Sequence, residues 1–240
     1  TEGVVTTYLK QDEWHRTSTV LVDLNDQGER SFTFMVRPSA DLFLETTDLP
    51  CWRHGEWLHL CSIALSAEPS RTSAFTAMTA IRHAGGFVSF DPNIREDLWQ
   101  DEHLLRLCLR QALQLADVVK LSEEEWRLIS GKTQNDRDIC ALAKEYEIAM
   151  LLVTKGAEGV VVCYRGQVHH FAGMSVNCVD STGAGDAFVA GLLTGLSSTG
   201  LSTDEREMRR IIDLAQRCGA LAVTAKGAMT ALPCRQELEW

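Results

Sequence analysis

Residues 149–153 read A-M-L-L-V, a run with no polar position in it. Side chains along a strand point alternately to opposite faces, so a strand with this composition has both faces covered. That is the habit of a strand inside a parallel sheet, with helices packed on either side. The run has companions in W-L-H-L-C-S-I (57–63), F-V-S-F (87–90) and D-V-V-K-L (117–121). Between them lie segments of helical character. R-T-S-A-F-T-A-M-T-A-I-R-H-A (71–84) stops at Gly85-Gly86, as helix C-termini commonly do. Leu105, Leu109, Ala112, Leu113 and Ala116 recur at helical spacing. S-E-E-E-W-R-L-I-S (122–130) opens with S-x-x-E, a capping-box signature, and residues 135–147 also read as a helix. Further on, G-V-V-V-C-Y (159–164) and Q-V-H-H-F (167–171) read as strands around a turn at Arg165-Gly166. Helices are predicted from Gly183 to about Gly195 and from about 204 to 224. Strands alternating with helices predict an α/β fold: a doubly wound, mostly parallel sheet flanked by helices. The first part of the chain differs. Residues 4–9, 17–24 and 31–36 are short, partly alternating and β-rich, and N-D-Q-G-E-R joins the last two like a hairpin loop. Residues 1–37 are therefore expected to form a small antiparallel piece, and residues 38–240 the α/β domain.

The net charge of −10 argues against a nucleic-acid partner and against an anionic membrane surface. An anionic substrate would have to be met locally, by backbone amides, a few cations or a metal. The eight cysteines include no C-x-x-C pair, and Cys61, Cys108, Cys140 and Cys163 lie in apolar or helical runs. Reduced thiols in a cytoplasmic protein are expected. No apolar stretch is long enough to span a bilayer, and no signal peptide is present. The adjacent His169 and His170, on an expected strand, read as structural.

The familiar chemical motifs G-x-x-x-x-G-K-S/T, G-x-G-x-x-G, H-E-x-x-H and G-x-S-x-G are absent. What stands out is V-D-S-T-G-A-G-D-A-F (179–188). A glycine inside a helix costs about 1 kcal/mol relative to alanine. Here Val176–Val179 is expected to end a strand and the helix to begin at Gly183, so the small residues leave its first amides uncovered. Those amides and the helix dipole suit an anion. Asp186 sits one turn in. A carboxylate beside a bound phosphate is a poor binder but a sensible base for a hydroxyl attacking phosphorus. The other reading of Asp186 is that it merely complements the dipole.

The stretch D-S-T-G-A-G-D-A-F-V-A-G resembles the C-terminal signature of the ribokinase-like (pfkB) carbohydrate kinases. S-F-D-P-N-I-R-E-D-L-W (89–99), V-V-K-L-S-E-E-E-W (118–126), V-T-K-G-A-E-G-V-V-V (153–162) and T-A-K-G-A-M-T-A-L-P (224–233) follow in that family's order. S-F-T-F-M-V-R-P-S-A-D (31–41) and C-S-I-A-L-S-A-E-P-S-R (61–71) resemble its fructokinase branch, in particular bacterial members of sucrose utilisation.

The resemblance implies a ribokinase-like fold with a β lid supplied by residues 1–37, and transfer of the γ-phosphate of ATP to the primary hydroxyl of fructose. It implies Asp186 as the catalytic base and the amides of Gly183, Ala184 and Gly185 as an anion hole. It places Thr154, Lys155, Gly156, Gly159, Gly227 and Ala228 at ATP, and Asn93 and Arg95 at substrate or phosphate. It assigns Glu125 to Mg²⁺ through water, and Asp180 and Thr182 to a monovalent cation such as K⁺. It also allows a homodimer through the lid strands. The family's usual N-x-x-E carries Ser122 in the Asn place. The family's opening strand with its sugar-binding Asp, and its Gly-Gly-x-x-x-Asn segment, have no counterpart in this sequence, so weak turnover of fructose is expected of it.

Several alternatives stay open on the residues themselves. Ser122 and Glu125 suit a capping box as well as a metal site, and Asp91-Pro92-Asn93 is ordinary turn chemistry. Another small sugar, a sugar acid or a riboside would fit the same motifs, as would an inactive fragment that binds nucleotide.

Overall fold

The computed structural model describes residues 3–24, 30–35, 37–201 and 204–238. The chain divides into two compact units, Thr1–Asp117 and Val118–Trp240. The division expected after residue 37 falls inside the first of them.

In the first unit, β1 (Thr19–Leu24) and β2 (Arg30–Met35) form a two-stranded antiparallel sheet, with Thr19 opposite Met35 and Leu24 opposite Arg30. The connecting loop expected at Asn25–Arg30 lies, up to Glu29, outside the described residues. The strand expected over residues 4–9 does not form. Thr7 and Tyr8 make a turn closed by the Leu9 amide donating to the Thr6 carbonyl. Val4, Val5, Tyr8 and Leu9 are exposed, so β propensity there meets no partner strand among the described residues.

The α/β pattern begins at β3 (Trp57–Cys61), which pairs in parallel with β4 (Phe87–Asp91). Between them runs α1 (Ser70–His83), which ends at Ala84 and a left-handed Gly85. Next, α2 (Glu102–Leu115) is capped by Asp101, whose carboxylate accepts from the Leu104 amide. It buries Leu105, Cys108, Leu109, Ala112 and Leu113, the stripe that the spacing predicts.

In the second unit, β5 (Val118–Ser122) and β6 (Met150–Thr154) pair in parallel. Met150 to Val153 are wholly buried, as the apolar run requires. The crossover carries α3 (Glu123–Ser130) and α4 (Asp136–Glu145). Then β7 (Gly159–Tyr164) and β8 (Gln167–Ala172) add antiparallel to β6, turning at Arg165 and Gly166, both with positive φ.

Two longer helices close the unit. The first, α5 (Ala184–Thr199), packs along the second, α6 (Glu205–Ala222). Small residues set the spacing between them. A methyl on Gly191 would stand 2.8 Å from the Cys218 sulfur, and one on Gly195 would stand 2.7 Å from Ile211 Cγ1. Leu192, Leu196, Met208, Ile211 and Ile212 are fully buried, each contributing about 1.5–3 kcal/mol. This packing fixes the axis of α5, and so the direction in which its first amides point. The expected strand end at Val176–Val179 is instead irregular chain. Its last residues are held by the Val223 carbonyl, which accepts from the amides of Val179 and Asp180.

All eight cysteines are free thiols, and no helix of the described residues is long and apolar enough to cross a membrane.

Candidate active site

The S-T-G-A-G-D segment is a helix start built from backbone. Gly183 occupies the N-cap position with φ 81°, a left-handed conformation that L side chains rarely adopt. It provides no side-chain cap to the opening turn of α5, where the Ala184 amide donates to the Ser181 carbonyl at 3.3 Å. A methyl on Gly183 would meet the Ala228 carbonyl oxygen at 2.8 Å. The helix start and the Gly227-Ala228 turn therefore touch backbone to backbone.

Asp180 holds the two segments in that position. Its Oδ1 accepts from the Thr182 amide at 2.9 Å and its Oδ2 from the Gly227 amide at 2.8 Å. Gly227 has φ 97°, which suits glycine. One carboxylate thus clips together two segments 47 positions apart. Asp186 stands at the third position of α5 and is exposed, with its carboxylate open to a ligand in solution.

Thr154 lies at the end of β6, where its hydroxyl donates to the Leu121 carbonyl at 3.2 Å. Lys155 to Gly159 form a tight turn into β7, closed by the Lys155 amide donating to the Gly159 carbonyl at 2.8 Å. Gly156 and Gly159 both have positive φ. Their surroundings differ: a methyl on Gly156 would meet nothing, whereas one on Gly159 would run into the Phe171 carbonyl oxygen and the Gly173 amide nitrogen. Gly159 is therefore required by the β7–β8 pairing itself.

The S-x-x-E signature forms a complete capping box. Glu125 Oε2 accepts from the Ser122 amide at 2.7 Å, and the Ser122 hydroxyl accepts from the Glu125 amide at 3.2 Å. Glu125 is buried at the first turn of α3, so the structural reading of this pair is realised. In the first unit, Asn93 has φ 44° and Arg95 donates to the Ile94 carbonyl at 2.8 Å. Asp91 ends β4 and residues 92–95 continue as irregular chain. His169 is buried near Glu205 and Arg209, and His170 pairs with Asp136 at 3.0 Å.

The model for the pfkB family carbohydrate kinases matches residues 1–235. The chain belongs to the pfkB family of carbohydrate kinases. It is 99% identical over 239 residues to a fructokinase of Escherichia coli, covering all of this chain and 78% of that protein. A fructokinase double mutant from Vibrio cholerae O395, solved with fructose, ADP and potassium ion, is 47% identical and superimposes with a TM-score of 0.90, over 97% of this chain and 75% of that one. An aminoimidazole riboside kinase of Salmonella typhimurium is 36% identical, over 98% of this chain and 73% of the relative. The ribokinase-like α/β fold expected from the motifs is the fold of this pfkB kinase.

Sequence reasoning passed over one residue in this region. Lys120 lies in β5 between Val119 and Leu121, both wholly buried, and is itself 9% exposed. Its Nζ would stand 3.1 Å from a methyl on Gly185. The signal was a single charge inside V-V-K-L, a run otherwise apolar.

Proposed function

We propose that this pfkB kinase is an ATP-dependent fructokinase of the cytoplasm that phosphorylates the primary hydroxyl of fructose to give fructose 6-phosphate. The observation that carries the site assignment is the uncapped start of α5, with Gly183 left-handed at its N-cap and Asp186 three positions on. The amides of Gly183, Ala184 and Gly185 face developing negative charge, and the helix dipole adds about half a positive charge at that end. Asp186 accepts the proton of the attacking hydroxyl as its oxygen bonds to phosphorus and ADP departs. Thr154, Lys155, Gly156, Gly159, Gly227 and Ala228 line the nucleotide, while Asn93 and Arg95 meet substrate or phosphate. Asp180 and Thr182 are the proposed contacts of a potassium ion.

Among the described residues there is no cluster of three or more His, Cys, Asp or Glu side chains placed to hold a metal. One buried carboxylate, Glu125, fits Mg²⁺ carried by ATP oxygens and water, the usual way that ion is held. When bound, Mg²⁺ supplies charge neutralisation on the phosphates, and Glu125 orients its water. The proposed assembly is a homodimer through the lid strands, where Val20, Leu21, Val22 and Met35 are exposed; sedimentation at increasing concentration tests it.

The activity is tested by ADP release with Mg²⁺–ATP against a panel of fructose, ribose, a sugar acid and a riboside. Fructose should give the highest kcat/KM. A riboside ahead of fructose would move the assignment to the branch of the 36% identical relative.

A further inference from the structure

Two thiols meet inside the second unit. Cys140 lies on α4 beside the buried Ile139 and is itself half-buried. Cys163 lies on β7, opposite Leu151 of β6 and Val168 of β8, and is 2% exposed. Cross-strand partners share a face of the sheet, so Cys163 stands with Leu151 and Val168. The helix α4 packs on these three strands. The two sulfurs are 2.6 Å apart, one thiol donating to the other. A disulfide bond is about 2.05 Å long, so bonding the pair needs a displacement of only about 0.6 Å. The two positions differ in access. Burial first, and then the neighbouring Cys140 thiol, push the Cys163 thiol up to about 12, so it stays protonated at neutral pH. The thiolate is the reactive form. An oxidant arriving from solution therefore meets Cys140, and Cys163 reacts only through it.

We propose that Cys140 and Cys163 are an oxidative modification site, converted by hydrogen peroxide to a reversible disulfide that staples α4 to β7. In the first step the Cys140 sulfur attacks one peroxide oxygen and the O–O bond breaks. The departing oxygen leaves as water with the thiol proton, and Cys140 becomes a sulfenic acid. In the second step the Cys163 sulfur attacks the Cys140 sulfur and the S–O bond breaks. The oxygen leaves as a second water, taking the Cys163 proton. Both sulfurs are oxidised and both peroxide oxygens reduced, so two thiols and one peroxide give one disulfide and two waters. Because the resolving thiol is already in contact, the second step outruns further oxidation of Cys140 to a sulfinic acid. A dithiol restores both thiols by exchange. The bond closes a loop across the 23 positions between the two cysteines. That loop holds β6 and the Lys155–Gly159 turn, so the staple restrains the unfolded chain around the proposed nucleotide segment.

The test starts from the unaltered chain, reduced and then treated with stoichiometric hydrogen peroxide. After thiol blocking with N-ethylmaleimide, a non-reducing digest should contain a peptide joining Cys140 to Cys163 as the main disulfide product. Cys51, Cys178 and Cys234 are exposed and react independently, so the joined peptide is the readout rather than the total loss of thiol. The melting temperature should rise by about 5–10 °C on oxidation, and dithiothreitol should reverse both changes. Cys140→Ser should give neither the joined peptide nor the rise. Three results would each overturn the proposal: Cys140 carried to a sulfinic acid while Cys163 is still alkylated after denaturation, Cys140 joined chiefly to another cysteine, or a joined chain that melts no higher than the reduced one. A rise that persists in Cys140→Ser would do the same, because the staple would then not be its cause. These readouts need only the unaltered chain to be folded, so a Cys140→Ser variant that fails to fold leaves the decision with the joined peptide and its melt.

Discussion

At the scale of single residues, glycines in this site do different work. Gly159 and Gly156 lie in the same turn and both have positive φ, yet a side chain at Gly159 strikes backbone while one at Gly156 meets open space. Gly159→Ala should therefore cost at least about 2 kcal/mol of stability. Gly156→Ala should cost about 1–2 kcal/mol, the strain of a left-handed L residue. Denaturant melts of the two variants separate these. Similar losses at both positions would mean that the Phe171 carbonyl yields to the new methyl. Asp186 is the opposite case, an exposed side chain with a chemical assignment and no packing duty. Asp186→Asn should lower kcat by about 10²–10⁴-fold and leave ATP affinity nearly unchanged, since a base acts in the transition state. A kcat within threefold of the unaltered enzyme would remove Asp186 from that role. The start of α5 was legible because G-A-G-D leaves small and acidic groups where a helix must begin. The clip made by Asp180 was not legible, because nothing in the chain marks its contact with Gly227, 47 positions away.

Elements were legible where a periodic pattern met a cap. The stripe of α2 and the capping box of α3 appear as the sequence predicts. Val4–Leu9 and Val176–Val179 failed for one reason: β propensity is realised only by pairing, and neither segment pairs as a strand. The capping box also permits its two roles to be separated. Glutamine serves as well as glutamate at the third position of a capping box, so Glu125→Gln should keep the Ser122 amide bonded and shift the melting temperature little. It removes a buried charge facing the proposed Mg²⁺ water, so the Mg²⁺ needed for half-maximal rate should rise severalfold. Ser122→Ala removes the other half of the box and should cost about 1 kcal/mol with the Mg²⁺ requirement unchanged. Equal Mg²⁺ titrations for Glu125→Gln and the unaltered enzyme would leave Glu125 as a helix cap alone.

For the whole molecule, the governing quantity is a net charge of −10 on a protein that takes a polyphosphate. Long-range repulsion then opposes the encounter, while attraction is confined to the proposed anion site at the start of α5. The two act over different distances, and salt separates them. The Debye length falls from about 30 Å at 0.01 M to about 8 Å at 0.15 M, so added salt screens the distant carboxylates far more than groups in contact with the phosphates. The association rate of Mg²⁺–ATP should therefore rise severalfold as tetramethylammonium chloride is increased over that range, with the dissociation rate nearly constant. Tetramethylammonium keeps the titration separate from any effect of potassium at Asp180 and Thr182. Stopped-flow binding at fixed free Mg²⁺ measures both rates. An association rate that falls with salt would mean that a positive funnel at the nucleotide site outweighs the net charge. The start of α5 would then act at long range as well as in contact.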